Sequence, residues 1–269
     1  MKRTQSLSSG LIVRQDFGDA IRPVFFQTGH EDYLYATHGG TVFLVAFRGR
    51  VYGLTCGHVF QDFEYERMFI TDEKQARKGS MPAPIRTLCY PSAPTDGAVG
   101  THIVDMCVIR FADDIVPDFF KGSAYIIDEK TVATSQIQHE LLVAGVLKDK
   151  SSIIPPDITI GYCQLQLRDV GASSSDPILR HAIAEFRNPE FDNIVGISGS
   201  PVFNQTANAL CGMVVRGGMT GNRCNIYYID IFDIGCFLEG VSEGVASTYY
   251  TENVLVAIDD RSGTLFGPS

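Results

Sequence analysis

The chain has 269 residues, 45% of them hydrophobic, which is enough for one large or two small packed domains. It carries 22 basic against 31 acidic residues, and the resulting charge of −9 argues against nucleic acid or an anionic membrane as partner. No run of 18 apolar residues occurs, so no membrane-spanning helix is expected.

Residues 1–19 are polar and read as a lead-in. Lys2 and Arg3 have no apolar stretch behind them, so no secretory signal is expected. Ile21 to Phe26 reads as a short strand, with Pro23 placing it at an edge or a strand start. Thr41 to Phe47 and Val51 to Thr55 are apolar runs joined by Arg48-Gly49-Arg50, a hairpin signal. His58 follows directly, just past a strand end. Ile85 to Tyr90 and Val104 to Phe111 read as strands, the second with Asp105 near its start. Residues 112–138 read as a connector holding a domain boundary.

The strand pattern then resumes at Leu141 to Leu147, Ile158 to Leu167, Ile178 to Phe186, Ser200 to Phe203, Ala209 to Val215 and Asn225 to Ile229. One helix is expected, Asp230 to Glu239. Many short strands with turn signals and few helices indicate a sandwich or barrels, and the two groups of strands indicate two β-units. The tail after Gly240 is rich in Gly, Ser and Thr, with one apolar patch at Val254-Leu255-Val256.

Seven cysteines (Cys56, Cys89, Cys107, Cys163, Cys211, Cys224 and Cys236) are an odd number without a C-x-x-C pair. A reduced, cytoplasmic protein fits this better than a disulfide framework. Cys56-x-His58 is a weak metal pair with no second pair to complete a zinc site, so no metal and no cofactor is expected. Asn204-Gln205-Thr206 matches a glycosylation sequon, without meaning in a cytoplasmic protein. Gly217 to Gly221 lacks the lysine of a phosphate loop.

Gly196-Ile197-Ser198-Gly199-Ser200-Pro201 reads as a tight loop leading into a strand. Glycines let the backbone turn sharply and let a substrate carbonyl come close. The N–H groups of Gly196 and Ser198 would then hold a developing oxyanion. A nucleophilic serine needs a base, and the base needs an orienting acid. All six histidines precede Ser198, which excludes the chain order of α/β-hydrolases. The best base is His58, where Gly57 turns the chain after a strand. The best acid is Asp105, since a carboxylate opening an apolar strand is costly to bury without a donor.

These motifs carry a resemblance. Thr55-x-x-His58-Val59, Asp105 followed by an apolar run, and Gly196-x-Ser198-Gly199-Ser200-Pro201 resemble the chymotrypsin/trypsin-like serine peptidases, in type nearest to HtrA/Deg-like peptidase domains without a PDZ domain. The resemblance covers roughly residues 20–240. It implies an all-β fold of two antiparallel six-stranded β-barrels with a short C-terminal helix. The expected division is a lead at 1–19, a first barrel at 20–120 with His58 and Asp105, a second barrel at 121–240 with Ser198, and a tail at 241–269.

It further implies that Ser198 attacks, His58 carries the proton, Asp105 orients His58, and the Gly196 and Ser198 amides form the oxyanion hole. Val215, Arg216 and Gly217 resemble the substrate-binding strand. Asp192 lies six residues before Ser198, where trypsin-like members place the floor of the primary pocket, implying cleavage after Arg or Lys. Ile197 stands where secreted members carry an acid for a freshly cut N-terminus, so Leu11-Ile12-Val13 has no acid to meet. The expected function is a cytoplasmic, trypsin-like serine endopeptidase acting on protein or peptide, with a regulatory partner chain left open. An interaction module with an idle triad, or an esterase on the same triad, stands as the alternative.

Overall fold

The computed structural model describes residues 18–27, 35–60, 68–70, 85–91, 105–111, 122–154, 157–176, 178–186, 193–243, 256–259 and 265–266. The first unit contains β1 (Ile21–Gln27), β2 (Tyr35–Phe47), β3 (Arg50–Cys56), β4 (Met68–Ile70), β5 (Ile85–Tyr90), β6 (Met106–Phe111) and β7 (Tyr125–Ile126). The second contains β8 (Glu140–Ile154), β9 (Asp157–Ala172), β10 (Arg180–Glu185), β11 (Pro201–Asn204), β12 (Ala209–Thr220) and β13 (Arg223–Asp230). These six strands close into a barrel in the order β10-β13-β12-β11-β8-β9.

The first unit differs from the six-stranded barrel that was expected. Among the described residues it is a nine-stranded sheet, because β7 joins β2 in parallel and two strands from the tail return to it. Those are β14 (Val256–Asp259) and β15 (Leu265–Phe266), with β14 antiparallel to β5. Val256, the last residue of the tail's apolar patch, opens β14.

Local chemistry explains the elements. Arg48 and Gly49 both adopt positive φ, 49° and 78°, the backbone of the two-residue hairpin turn that matches strand twist. β6 lies between β3 and β5 and is buried along nearly its whole length, hence its unbroken apolar character. Pro23 sits where the β1–β2 register shifts, outside the stretch that β4 covers, so its missing N–H breaks no ladder there. The β8–β9 hairpin is longer than its apolar runs. Ser151 bridges an irregularity, its hydroxyl donating to the Leu147 carbonyl at 2.6 Å and accepting from the Gly161 N–H at 3.0 Å. That polar continuation carries no apolar alternation for a sequence reading to detect.

The barrel has its own apolar interior, including Leu141, Val143, Leu165, Val202, Val214 and Tyr228. A second core lies in the first unit and continues across to the barrel through Val146, Phe203, Met213 and Val215. Phe43, Tyr125 and Phe203 form its joint, with ring centroids 5.3–6.1 Å apart. Helix α1 (Ile231–Glu243) starts one residue later and runs longer than expected. Asp230 caps it, its Oδ1 accepting the Phe232 N–H at 3.0 Å. Ile231, Ile234, Phe237, Leu238 and Val241 form the buried stripe that seals the core.

Candidate active site

The β3–β6 register builds the acid–base pair. Cys56 faces Met106, so the residues just beyond each strand end, Gly57-His58 and Asp105, meet. Asp105 stands in a turn before β6, one residue outside the strand expected to hold it. Its Oδ1 accepts the His58 backbone N–H at 2.8 Å, and its Oδ2 lies 2.6 Å from His58 Nδ1. The Asp105 carbonyl accepts the Gly57 N–H at 2.7 Å, closing the turn. A carboxylate only accepts, so Nδ1 donates, and the neutral ring keeps its lone pair on Nε2. The His58 side chain is 39% exposed and that of Asp105 22%, so the ring reaches solvent while the acid is screened by its partners.

Ser198 lies in a loop that leads into β11. Gly196 has φ 110° and Gly199 φ 87°. A Cβ on Gly199 would lie 2.0 Å from the Thr41 carbonyl oxygen, and one on Gly196 would lie 2.5 Å from the Val146 carbonyl oxygen. Both positions therefore require glycine on conformation and on space. The Ser198 hydroxyl donates to the Val215 carbonyl at 3.2 Å. The Cys56 thiol donates to the adjacent Val214 carbonyl at 3.3 Å. The strand end that leads into His58 and the Ser198 hydroxyl thus rest on the same two residues of β12.

The loop before Ser198 is tied to β8. The Val195 carbonyl accepts the Lys148 N–H at 2.9 Å. In a trans peptide the N–H points opposite to the C=O, so the Gly196 N–H is turned away from β8. Asn193 donates to Asp149 and tightens the same attachment. Among the described residues neither the Gly196 nor the Ser198 N–H has a hydrogen-bond partner. Unpaired backbone donors in a well-packed loop are rare, and such donors serve a ligand at little reorganisation.

Thr41 was missed by the sequence reading and is the hub of this loop. Its hydroxyl donates to the Gly196 carbonyl at 2.8 Å and accepts from the Val146 N–H at 3.0 Å. The Ser200 hydroxyl adds a bond at 3.3 Å. Its own N–H donates to the Ser198 carbonyl at 2.9 Å, and its carbonyl accepts the Thr55 hydroxyl at 2.8 Å. Thr41 is fully buried. A threonine after two glycines in an apolar strand carries no sequence signal of such a role.

The remaining positions are placed as follows. Val215 and Arg216 stand at a register irregularity between β12 and β13, and Gly217 faces Ile226. The Arg216 guanidinium lies over the Tyr227 ring, 4.5 Å from its centroid, and donates to Ser175 Oγ at 3.1 Å. Ile197 is buried in the barrel interior, which accounts for an apolar residue there. Asp192 and Leu11-Ile12-Val13 lie outside the described residues. Asn204 is fully buried, its amide 2.7 Å from His139 Nδ1, so it presents no glycosylation acceptor.

All seven cysteines are free thiols. Burial, assisted by the Asp105 charge, pushes the Cys56 thiol well above its ordinary range, so it is no thiolate nucleophile. One ligand atom each from Cys56, His58 and Asp105 lies within 4.8 Å of the others. The hydrogen bonds above already account for the three: thiol to carbonyl, and ring nitrogen to carboxylate.

No protein-family model matches the sequence, and no curated protein matches it. Solved structures do. Human heparin binding protein is 11% identical, with 85% of this chain and 92% of that one covered and a TM-score of 0.55. The scabies mite inactivated protease paralogue S-I1 is 12% identical, with 85% and 96% covered and a TM-score of 0.55. This chain has the chymotrypsin-like fold. Within that fold His58 and Asp105 come from the first unit and Ser198 from the barrel, and Val214 and Val215 link the strand end before His58 to the Ser198 hydroxyl. One of these two structures is, by its own name, an inactivated protease. The chymotrypsin-like fold therefore does not decide activity, and the chemistry of the site must.

Proposed function

We propose that the chain is a serine endopeptidase working through Ser198, His58 and Asp105. The observation that carries this reading is a serine loop whose Gly196 and Ser198 amides are left unpaired, joined through Val214 and Val215 to the strand end that precedes the Asp105–His58 pair. An idle module has no need of the second feature, since a closed loop would pair those donors internally.

In this reading Ser198 Oγ leaves the Val215 carbonyl and attacks the scissile carbonyl carbon. His58 Nε2 takes the hydroxyl proton, and Asp105 stabilises the imidazolium. The carbonyl oxygen gains charge and is held by the Gly196 and Ser198 N–H groups. Collapse of the tetrahedral intermediate breaks the C–N bond, and His58 returns the proton to the leaving amine. Water, deprotonated by the same ring, then hydrolyses the acyl-serine.

The substrate class is protein or peptide, and the working compartment is the cytoplasm, in keeping with seven unpaired thiols. The acidic balance favours neither nucleic acid nor an anionic membrane as partner. The test is labelling by a fluorophosphonate probe, read as adduct mass on the Ser198 peptide. Wild type is labelled. Ser198→Ala is not labelled. Absence of any adduct in the wild type would favour the idle module. Turnover of esters with no turnover of matched amides would favour the esterase.

A further inference from the structure

Strand β5 reaches the acid–base pair through Tyr90, its last residue. The Tyr90 ring lies against the turn that carries His58. A Cβ on Gly57 would lie 3.2 Å from Tyr90 Cε1, 3.5 Å from its Cδ1 and 3.4 Å from Asp105 Oδ1. Glycine at 57 therefore lets the ring edge close onto the backbone just before His58, where any side chain would press on it. The same Asp105 Oδ1 accepts the His58 N–H at 2.8 Å, so ring edge and carboxylate share one small space. The Tyr90 hydroxyl meets the Cys107 thiol on β6, two residues after Asp105. One side chain thus rests on both arms of the pair, the end of β3 at Gly57 and the start of β6 at Cys107. Its ring packs against the core of the first unit.

Tyr90 itself is held from the far side of β5. Among the described residues the β5–β6 ladder ends with Cys89 facing Val108. Tyr90 lies one residue further on, and its register partner is Val256 of the tail strand β14. That pairing continues through Ala257 with Cys89, Ile258 with Leu88 and Asp259 with Thr87. In the sheet order β14 is the neighbour of β5 opposite to β6. A β5 without β14 would be an edge strand with its outward N–H and C=O groups unpaired. Strand ends open first, and Tyr90 is that end.

We infer that Tyr90 is a positioning residue for the His58–Asp105 pair and that the tail strand β14 sets it from outside the site, so that attachment of the C-terminal tail to β5 raises turnover. This rests on the serine-peptidase reading above. Tyr90 acts by fixing the turn from which the His58 ring and the Asp105 carboxylate project, and a small displacement of a catalytic group costs rate steeply. The tail is then a point of control, since whatever takes β14 off β5 slows the site without occupying it.

The experiment uses the full chain and measures kcat and KM on an amide substrate together with the rate and final extent of fluorophosphonate labelling. The final extent counts intact sites, so kcat is taken per labelled site. Tyr90→Leu is expected to lower kcat about tenfold to a hundredfold at nearly constant KM, and to slow labelling alike. Tyr90→Phe keeps the ring edge and is expected to restore both. Val256→Pro and Ala257→Pro each remove a ladder N–H of β14. Adjacent N–H groups of a strand point to opposite sides, so one of these two substitutions acts on the β5 side. The stronger of them is expected to lower kcat roughly two- to thirtyfold. Added to Tyr90→Leu it is expected to cost nothing more, because both break the same link. A labelled wild type whose Tyr90→Leu variant keeps its kcat overturns the inference and leaves the serine reading standing. So does a Tyr90→Phe variant as slow as Tyr90→Leu, a pair of proline variants without loss, or losses that add in full. If Tyr90→Leu does not fold, the proline variants decide, since they leave β5 and its side chains unaltered. A wild type that is neither labelled nor active removes the serine reading, and the inference with it.

Discussion

The Thr41 hydroxyl donates to the Gly196 carbonyl at 2.8 Å, across 155 residues of chain and from one β-unit to the other. The same oxygen accepts the Val146 N–H at 3.0 Å. One buried hydroxyl therefore fixes both the loop that carries the candidate oxyanion donors and the barrel strand against which that loop lies. Thr41→Val keeps the shape and removes the hydroxyl. It leaves a buried carbonyl and a buried N–H without partners, at about 1–3 kcal/mol each. The expected result is a lower melting temperature and a lower kcat at nearly constant KM, with Thr41→Ser restoring both. A Thr41→Val variant with wild-type stability and turnover would show that the loop stands without it.

The reach of the sequence reading follows from what each feature depends on. His58, Asp105 and Ser198 were legible because each sits at an abrupt change in pattern: a strand ending in Gly, an acid opening an apolar run, a serine between glycines. The hairpin at Arg48-Gly49 was legible because its turn needs positive φ, which glycine supplies. Thr41 was not legible, since its role exists only once a loop 155 residues away is laid against it. The returning tail strands were missed because two short apolar stretches say nothing about which edge they join.

The thiols are expected to be silent. Burial raises the Cys56 and Cys107 thiols well above the ordinary range and lifts Cys89 to about 11. Alkylating reagent at mildly alkaline pH is expected to leave activity intact and to spare the six buried cysteines until denaturant is added. Reductant is expected to leave the melting temperature unchanged. Rapid native-state alkylation of Cys56 with loss of activity would make that thiol, and not Ser198, the reactive group.

Asp230 gives a pH dependence whose sign is fixed. Burial raises its carboxyl pKa above the ordinary value despite the Phe232 N–H bond. A raised acid pKa means the folded state binds the proton more tightly than the unfolded state. Its charge therefore lowers stability above the folded pKa, and that loss vanishes below the unfolded pKa. Asp230→Asn keeps the helix cap and removes the charge. The variant is expected to melt higher than wild type at neutral pH and to match it in acid. A variant less stable at neutral pH would mean that the charge is favourable where it stands.

The most direct measurement is kcat/KM on an amide substrate, wild type against Ser198→Ala, with folding checked by melting. Removing the nucleophile leaves only binding and the oxyanion donors. The account predicts a fall of about four to six orders of magnitude at unchanged stability. Retention of more than about a tenth of the wild-type rate, far outside what loss of a nucleophile permits, would contradict it.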